Sequence, residues 1–166
     1  MKAKLIIEGK EFNIDILDTR LQELIAPRKK TGYESVEKNQ KWHYVKSNDD
    51  ILTCTNYGYG DDVRFYKNAN YYSDKTVAEN NARADRLMRQ LRRFAVNSRV
   101  DKLNWNDNTQ AKWTICYNSD GIGARENSDV HCYGAIYFDR LIDVQKAIET
   151  FHDELIWYFT EYKDSL

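Results

Sequence analysis

The chain has 166 residues, of which 42% are hydrophobic, 13% aromatic and 31% charged, and its formal net charge is −1. This composition excludes an intrinsically disordered chain and supplies enough apolar side chains for one compact domain over residues 1–166, with two intimately packed subdomains as the alternative. No apolar run reaches the roughly 18 residues that a membrane span requires. The start, MKAKLIIEGKEF, lacks the apolar region of a secretory signal. We therefore expect a soluble cytoplasmic protein with no membrane partner.

Residues 1–30 predict a β-hairpin followed by a short helix. Two apolar, strand-like runs flank a turn centred on Gly9. A short apolar pattern follows, with Asp18 or Thr19 in position to cap a helix and Pro27 in position to end it.

Residues 41–97 predict a unit of two strands and one long helix. Strand-like runs at 41–45 and 51–55 are separated by a polar turn, which is typical of a hairpin. Either Ser73 or Asp74 can accept hydrogen bonds from the free N–H groups of the first helical turn. Because neither Gly nor Pro interrupts the pattern, we expect a helix of about five or six turns.

The long helix has an apolar face and a basic face. At about 100° per residue, one face carries only apolar side chains, which predicts a core. These residues are Ala84, Leu87, Met88, Leu91, Phe94 and Ala95. The opposite face carries Arg86, Arg89 and Arg93, which predicts a basic, solvent-exposed stripe.

The segment NYGYGDD, at residues 56–62, joins the predicted hairpin to the long helix. Tyr57 and Tyr59 on a glycine-containing loop are typical of a protein-recognition surface. A tight turn whose tyrosines fold back on the core is the alternative. Asp61 and Asp62 add negative charge, and the absence of a Gly-Lys-Ser/Thr sequence excludes a phosphate-binding loop.

Residues 112–162 predict a second unit with the same order of elements. We expect strands at 113–117 and 130–138 around a long polar loop at 119–129, and a last helix capped by Asp139. Aromatic side chains broaden the apolar face of that helix, which predicts a surface for a partner or for a second subunit of a homodimer. They are Trp157, Tyr158 and Tyr162.

The two units resemble each other in sequence. A Lys-Trp pair opens the first strand of each, at 41–42 and 112–113, and two aromatic residues precede each helix, at 71–72 and 137–138. The similarity predicts an internal ββα repeat, although strand ends favour aromatics and helix caps favour Ser and Asp without any duplication. The predicted fold class is α+β, with antiparallel hairpins packed against two long helices.

The sequence lacks the motifs of the common enzyme classes. It has no Gly-x-Ser-x-Gly, His-Glu-x-x-His, dinucleotide-binding or phosphate-loop motif, so we expect neither enzymatic activity nor a cofactor. Three cysteines without a Cys-x-x-Cys pair predict reduced thiols buried in strands. His131-Cys132 beside Cys116 lacks the tight spacing of a structural zinc site, so we expect no metal.

Three stretches of the chain resemble a known group of proteins. They are IIEGKEF near the start, YYSDKTVAENNARADRLMRQLRRFA, and the ending GAIYFDRLIDVQKAIETFHDELIWYFTEY. Together they resemble small proteins encoded by phages and prophages of Firmicutes and gut bacteria. What the resemblance implies is a setting, since small non-enzymatic proteins of mobile elements often counter host defence and include inhibitors of CRISPR nucleases. It assigns no role to any single residue.

Two functions follow as hypotheses. The first is a phage anti-defence protein, an anti-CRISPR, that binds a host effector such as a CRISPR nuclease and places acidic side chains in its basic channel. Its expected contact residues are Tyr57, Tyr59, Asp61, Asp62, Asp120, Glu126 and Asp129, with Asp49 and Asp50 as further acidic candidates. The alternative is a nucleic-acid-binding phage accessory protein that stacks bases on tyrosines. Its expected contacts are Arg86, Arg89, Arg93 and Arg99.

Overall fold

A computed structural model describes residues 2–15 and 30–162 of the chain. The chain divides into two compact units, Met1–Thr31 and Gly32–Leu166. The boundary lies next to residue 30, where the N-terminal element was predicted to end. A single compact domain over residues 1–166 stays a prediction.

The first unit contains an antiparallel hairpin, as predicted. Strand β1 (Lys2–Ile7) pairs with β2 (Lys10–Asp15). Glu8 and Gly9 form the turn, with φ angles of 49° and 77°. Two successive residues with positive φ give a tight turn that matches the twist of a hairpin. The short helix predicted to end at Pro27 lies outside the described residues.

The predicted hairpin at the start of the second unit is confirmed. Strand β3 (Lys41–Val45) pairs with β4 (Ile51–Thr55) in antiparallel orientation. Tyr72 pairs with the other edge of β3, because the His43 N–H donates to the Tyr72 carbonyl at 2.8 Å and the Tyr72 N–H donates back at 2.9 Å. Strand β3 is therefore central.

A helix that was not predicted, α1 (Gly60–Lys67), follows β4. The segment 56–62 is consequently not a loop throughout, since its last three residues form the first turn of α1. The Phe65 ring faces inward, with its centroid 5.4 Å from that of Trp42 and 4.4 Å from that of Tyr44. No residue of α1 is fully buried, so the helix packs on the hairpin mainly through one aromatic ring.

The long helix α2 spans Lys75–Ser98, which is 24 residues. The Asp74 carboxylate caps it by accepting the N–H groups of Thr76 at 2.7 Å and Val77 at 3.3 Å. Its inner face is apolar, as predicted. The fully buried residues of this face are Ala78, Ala82, Ala84, Leu87, Leu91 and Ala95. The alanines near the start of α2 leave room for β3, which lies against the helix.

The second hairpin is shorter than predicted. Strand β5 (Trp113–Asn118) pairs with β6 (Gly121–Glu126), and β7 (Tyr137–Phe138) pairs with the other edge of β5. The predicted loop at 119–129 is therefore wrong. Of the predicted strand at 130–138, only residues 137–138 form a strand, and they pair with β5 as expected. The Ser-Asp-Gly sequence between β5 and β6 suits a two-residue turn, which closes the hairpin early.

The last helix is divided into three pieces. These are α3 (Leu141–Thr150), α4 (His152–Trp157) and a π-helical turn (Tyr158–Tyr162). The Thr150 hydroxyl donates to the carbonyl of Lys146 at 2.7 Å. A hydroxyl bonded to the carbonyl four residues earlier bends a helix, which accounts for the break after Thr150.

Asp139 does not cap α3, contrary to the prediction. Arg140 is the N-cap residue, and its side chain makes no capping hydrogen bond. The Asp139 carboxylate instead accepts the backbone N–H groups of Val100 and Asp101, both at 2.8 Å. Partial burial raises the pKa of Asp139. The backbone donors together lower this pKa by more than burial raises it, so the net shift is downward. Asp139 thus ties the chain after α2 to the start of α3.

The main core lies between the second half of α2, the last helices and the three-stranded sheet, whose strand order is β6-β5-β7. Its fully buried residues are Leu87, Leu91, Ala95, Phe138, Val144, Ala147 and Leu155. The fold class is α+β, as predicted. No helix in residues 2–15 and 30–162 is long and apolar enough to cross a membrane.

Part of the aromatic surface predicted on the last helix is covered by the chain itself. Trp157 is only 7% exposed, and the guanidinium of Arg83 lies 3.9 Å from its ring centroid. Arg83 also donates to the Glu154 carboxylate at 2.8 Å. The Tyr162 hydroxyl donates to Asn81 at 3.1 Å. The geometry therefore gives Trp157 an intramolecular role in joining α4 to α2.

Candidate functional site

Asp62 organises the segment that carries the predicted tyrosines. One carboxylate oxygen accepts the indole N–H of Trp42 at 3.1 Å. The other accepts the backbone N–H groups of Tyr57 at 3.1 Å and Tyr59 at 3.0 Å. Bonds from three N–H donors stabilise the ionised carboxylate and fix the backbone on either side of Gly58. Asp62 therefore positions the tyrosines, and its own contact with a partner stays a prediction.

Four apolar side chains around α1 are exposed to solvent. Tyr57 is 52% exposed, Tyr59 69%, Val63 48% and Tyr66 49%. We refer to these four residues as the tyrosine cluster. Tyr59, Val63 and Tyr66 are spaced four and three residues apart and so lie on one side of the helix. The ring centroids of Tyr57 and Tyr59 are 5.8 Å apart.

The tyrosine cluster differs from an ordinary exposed loop because contacts with the underlying hairpin fix its backbone. Phe65 anchors α1 on Trp42, and Asp62 holds the chain that enters the helix. Side chains presented on a fixed backbone lose less conformational entropy when they bind. Tyrosine adds a large rigid ring and a hydroxyl that can donate or accept a hydrogen bond. The arrangement is suited to binding a protein surface.

Asp61 lies at the edge of the tyrosine cluster, and its side chain is 78% exposed. It forms an ion pair with Arg64 at 3.1 Å, three residues further along α1. Because exposed pairs of this kind are weak, Asp61 can exchange Arg64 for a positive group on a partner.

The remaining acidic candidates do not gather with Asp61 into one site. Asp120 lies in the turn before β6 and Glu126 ends that strand, so about 20 Å of extended chain separates them. Asp129 is exposed two residues before His131. Asp49 is already paired with Arg89 at 2.5 Å, and the Asp50 carboxylate accepts the Asn48 amide at 2.6 Å. Contacts of Asp120, Glu126 and Asp129 with a partner stay predictions.

The arginines of α2 are divided between two surfaces. Arg86, Arg89 and Arg93 are exposed, as predicted from the helix periodicity. Arg99 follows the last helical residue and lines a different surface, which it shares with Arg92. The predicted stripe of Arg86, Arg89 and Arg93 is therefore exposed, whereas Arg99, the fourth candidate nucleic-acid contact, lies on another surface.

A second candidate surface, which we call the basic groove, lies beside the end of α2. It has a volume of about 490 Å³. Its polar and aromatic lining residues are Arg92, Arg99, Lys102, Trp105, His131 and Tyr137. The Trp105 and His131 rings are stacked, with centroids 4.2 Å apart and planes at 10°. Sequence reasoning missed Arg92, Lys102, Trp105 and His131 as members of a site, although the Arg92-Val96-Arg99 spacing was a signal.

Lys112 supports the wall of this groove from inside. It is completely buried, and its ammonium donates to the carbonyls of Asp107 at 2.8 Å, Gln110 at 2.9 Å and Ser128 at 3.1 Å. Three acceptors satisfy its three protons. The same nitrogen lies 5.3 Å from the Trp105 ring centroid, which adds a cation–π contact. Lys112 therefore fixes the two loops that flank the Trp105 ring.

The cysteines only partly match their prediction as buried strand thiols. Cys54 and Cys116 are half-buried in strands, whereas Cys132 is exposed and lies outside a strand. Burial raises the pKa of the Cys54 thiol, and the Asp62 carboxylate raises it further. Within residues 2–15 and 30–162, no three His, Cys, Asp or Glu side chains converge as metal ligands.

Comparison with known proteins gives no relative. The chain matches no protein-family model, no curated protein and no solved structure at a significant level. The functional interpretation consequently depends on the geometry of the tyrosine cluster and on the sequence resemblance given above.

Proposed function

We propose that this protein is a non-enzymatic anti-defence protein, encoded by a phage or prophage, that binds and inhibits a host effector in the cytoplasm of the infected or lysogenic cell. The effector we propose is a CRISPR nuclease. The observation that carries the proposal is the tyrosine cluster, in which Tyr57 and Tyr59 are more than half exposed on a backbone fixed by Asp62.

The exposure of the tyrosine cluster supports a protein partner. No residue of α1 is fully buried, and each of the four side chains of the cluster is about half exposed or more. Exposed aromatic side chains of this kind act as anchors in protein interfaces when they enter pockets on a partner. The fixed backbone lowers the entropic cost of binding.

The charge at the edge of the cluster supports an effector with a basic surface. Asp61 extends into solvent beside the tyrosines, and its pairing with Arg64 is exposed and weak. CRISPR nucleases bind nucleic acid in positively charged channels. A carboxylate at the rim of an aromatic anchor complements such a channel and speeds association.

The test is a nuclease-cleavage assay with the CRISPR effectors of the natural host, together with binding kinetics. We expect Tyr59→Ala and Tyr57→Ala to raise the dissociation rate, with a loss of about 2 kcal/mol or more in binding free energy. The matched control is Tyr133→Ala, because Tyr133 is fully exposed in the other ββα region. It should inhibit like the unchanged protein.

The charge of Asp61, at the edge of the tyrosine cluster, should affect a different kinetic constant from the tyrosines. Asp61→Lys should mainly slow association, and the effect should be largest at low salt, where screening is weakest. The proposal fails if the unchanged protein inhibits no effector of its host. If it inhibits and both tyrosine variants remain fully active, the tyrosine cluster is the wrong surface.

A further inference from the structure

The basic groove has the composition of a site for an anionic ligand with an aromatic ring. Its floor comes from the last turns of α2, and its walls come from residues 102–105 and 131–137. Its volume of about 490 Å³ lies within the usual range of small-ligand sites. Nothing in the proposed protein-binding function uses this groove.

Three cations of the groove form no ion pair within the part of the chain that the structure describes. Arg92, Arg99 and Lys102 are exposed, and their side chains form no ion pair or hydrogen bond with the described residues. By contrast, other arginines of the same helix are paired, since Arg83 contacts Glu154 and Arg89 contacts Asp49. Three unpaired positive groups around one cavity attract anions.

Two carboxylates close in the chain to the groove residues, Asp101 and Asp139, form no ion pair with these cations. Asp101 is adjacent to Lys102 in the chain and is exposed. Asp139 is already bonded through one carboxylate oxygen to the N–H groups of Val100 and Asp101. Because neither carboxylate forms an ion pair with Arg92, Arg99 or Lys102, the cations remain available to a ligand.

The groove also contains a stack of rings that one more flat ring can extend. Trp105 lies parallel to His131, while Tyr137 meets Trp105 edge-on at 4.8 Å and 80°. Lys112 and Tyr137 hold the Trp105 ring from inside, whereas His131 is exposed. The outer face of the His131 ring is thus a platform for a base, and stacking of this kind tolerates every base.

We propose that the basic groove binds a nucleoside phosphate, with the base stacked on His131 and the phosphate held by Arg92, Arg99 and Lys102. The ligand is either a free nucleotide or a nucleotide unit of a single strand. The unpaired cations and the open ring stack together fit this chemistry, because a nucleotide carries its phosphate and its flat base in one small unit. The inference does not rest on the proposed inhibition of an effector.

The experiment measures fluorescence anisotropy of a labelled oligothymidylate of eight nucleotides with the full chain at about 0.15 M salt, where charges are screened beyond about 8 Å. We expect Arg92→Glu with Arg99→Glu to weaken binding at least tenfold. The matched control is Arg86→Glu with Arg93→Glu, which makes the same charge change on another surface of α2 and should alter affinity by less than about threefold. All variants are first checked for an unchanged melting temperature.

A second variant separates stacking from charge. His131→Ala should weaken binding of the oligothymidylate about tenfold and leave an abasic strand of the same length unaffected. Thymidine monophosphate is then tested as a competitor of the labelled strand. Displacement by the monophosphate shows that a free nucleotide is a sufficient ligand. Displacement by unlabelled oligothymidylate alone shows that the ligand is single-stranded nucleic acid.

Three outcomes overturn the inference. The first is no binding of either the strand or the nucleotide at millimolar concentration. The second is an equal loss in the groove variant and in the control, which indicates general electrostatic attraction. The third is that His131→Ala weakens binding of the abasic strand as much as binding of the oligothymidylate, which would mean that His131 does not contact the base.

Discussion

The two ββα regions, residues 41–97 and 112–162, share a strand order but differ in how the hairpin is connected to its helix. In each, the first strand is central, the return strand lies on one side, and an aromatic residue before the helix pairs on the other. The first connection contains α1. The second is irregular at 127–136 and is held by the Tyr137 hydroxyl, which accepts the Cys132 N–H at 2.7 Å.

The difference shows where this fold places its accessible side chains. The tyrosine cluster lies on the first connection, and the basic groove takes His131 from the second. The strands set the position of each connection, and the conformation of the connection determines which of its side chains are exposed to solvent. Both candidate surfaces therefore depend on hydrogen-bonded polar anchors, the partly buried Asp62 in one region and the fully buried Lys112 in the other.

The interiors of the two regions also differ. In the first, the Trp42 ring is stacked on Tyr71, with centroids 4.4 Å apart, and is tilted against Phe65. In the second, Leu87, Leu91 and other aliphatic side chains form the main core. Helix α2 contributes to both, so a disturbance of its inner face should affect the whole second unit of the chain.

The largest expected effect is therefore in the aliphatic core. Leu91→Ala should lower the free energy of unfolding by about 2–5 kcal/mol, because a 4% exposed leucine leaves a cavity when truncated. Ile142→Ala is the control, since Ile142 is 48% exposed and should cost under about 0.5 kcal/mol. Chemical denaturation measures both. Equal small effects would mean that α2 does not belong to the core.

The aromatic region should respond to loss of the partly buried Asp62 carboxylate. Asp62→Ala should destabilise by about 1–3 kcal/mol, because three N–H donors, including that of Trp42, lose their acceptor. Asp61→Ala should cost less than about 0.5 kcal/mol, since Asp61 is exposed. Chemical denaturation and near-ultraviolet circular dichroism of the aromatic residues report the change. Indistinguishable variants would contradict the organising role of Asp62.

The two aspartates before the helices should respond differently to serine. Asp74→Ala should cost about 1 kcal/mol and Asp74→Ser should recover most of it, because serine also caps helices. For Asp139, serine should give no recovery over alanine, since the bonds to Val100 and Asp101 need the longer side chain. The melting temperatures of the four variants test this difference. If Asp139→Ser were more stable than Asp139→Ala, Asp139 would act as the helix cap that the sequence predicted.

The smallest expected effect depends on pH. Burial lowers the pKa of His43 below its ordinary value, and Lys75 lowers it further, while Asp74 and Glu79 oppose this. The folded state therefore prefers neutral His43, whose contribution to stability is present above the unfolded pKa and is lost as the pH falls through the folded pKa. His43→Gln should flatten the decline of stability below about pH 6.5. His152→Gln, at an exposed position, is the control, and an equal flattening by it would contradict the assignment.

The elements that were predicted correctly have local signals. The hairpins β1-β2 and β3-β4 have strand-like runs around short turns, and α2 has a cap and a regular apolar face. Helix α1 was missed because its stability comes from distant groups, since the Trp42 indole that bonds Asp62 is 20 residues away. The β5-β6 turn was missed because a long polar stretch fits both a loop and a two-residue turn.

The similarity between the two regions also misleads at the level of side chains. Trp42 is 2% exposed beside an exposed Lys41, whereas Lys112 is completely buried and Trp113 is half-buried. A one-residue difference in register exchanges the faces of a strand. The shared strand order is therefore a likeness of topology, and an internal repeat stays a prediction.

The basic groove lay beyond sequence reasoning for a related reason. Its residues come from α2, from residues 102–105 and from residues 131–137, and only the tertiary structure brings them together. Tyr57 and Tyr59 were identified because turn residues surround them, which keeps aromatic rings near solvent.

The enclosure of Lys112 has a consequence for proteolysis. Trypsin must take the lysine side chain into its own pocket, and the Lys112 ammonium is bonded to three carbonyls of the folded chain. Cleavage after Lys112 consequently requires the loops around it to separate first, so its rate follows the opening of the structure. Exposed lysines such as Lys41 need no such release of the side chain. The rate at which trypsin cleaves the peptide bond after Lys112 thus measures how often this part of the protein unfolds.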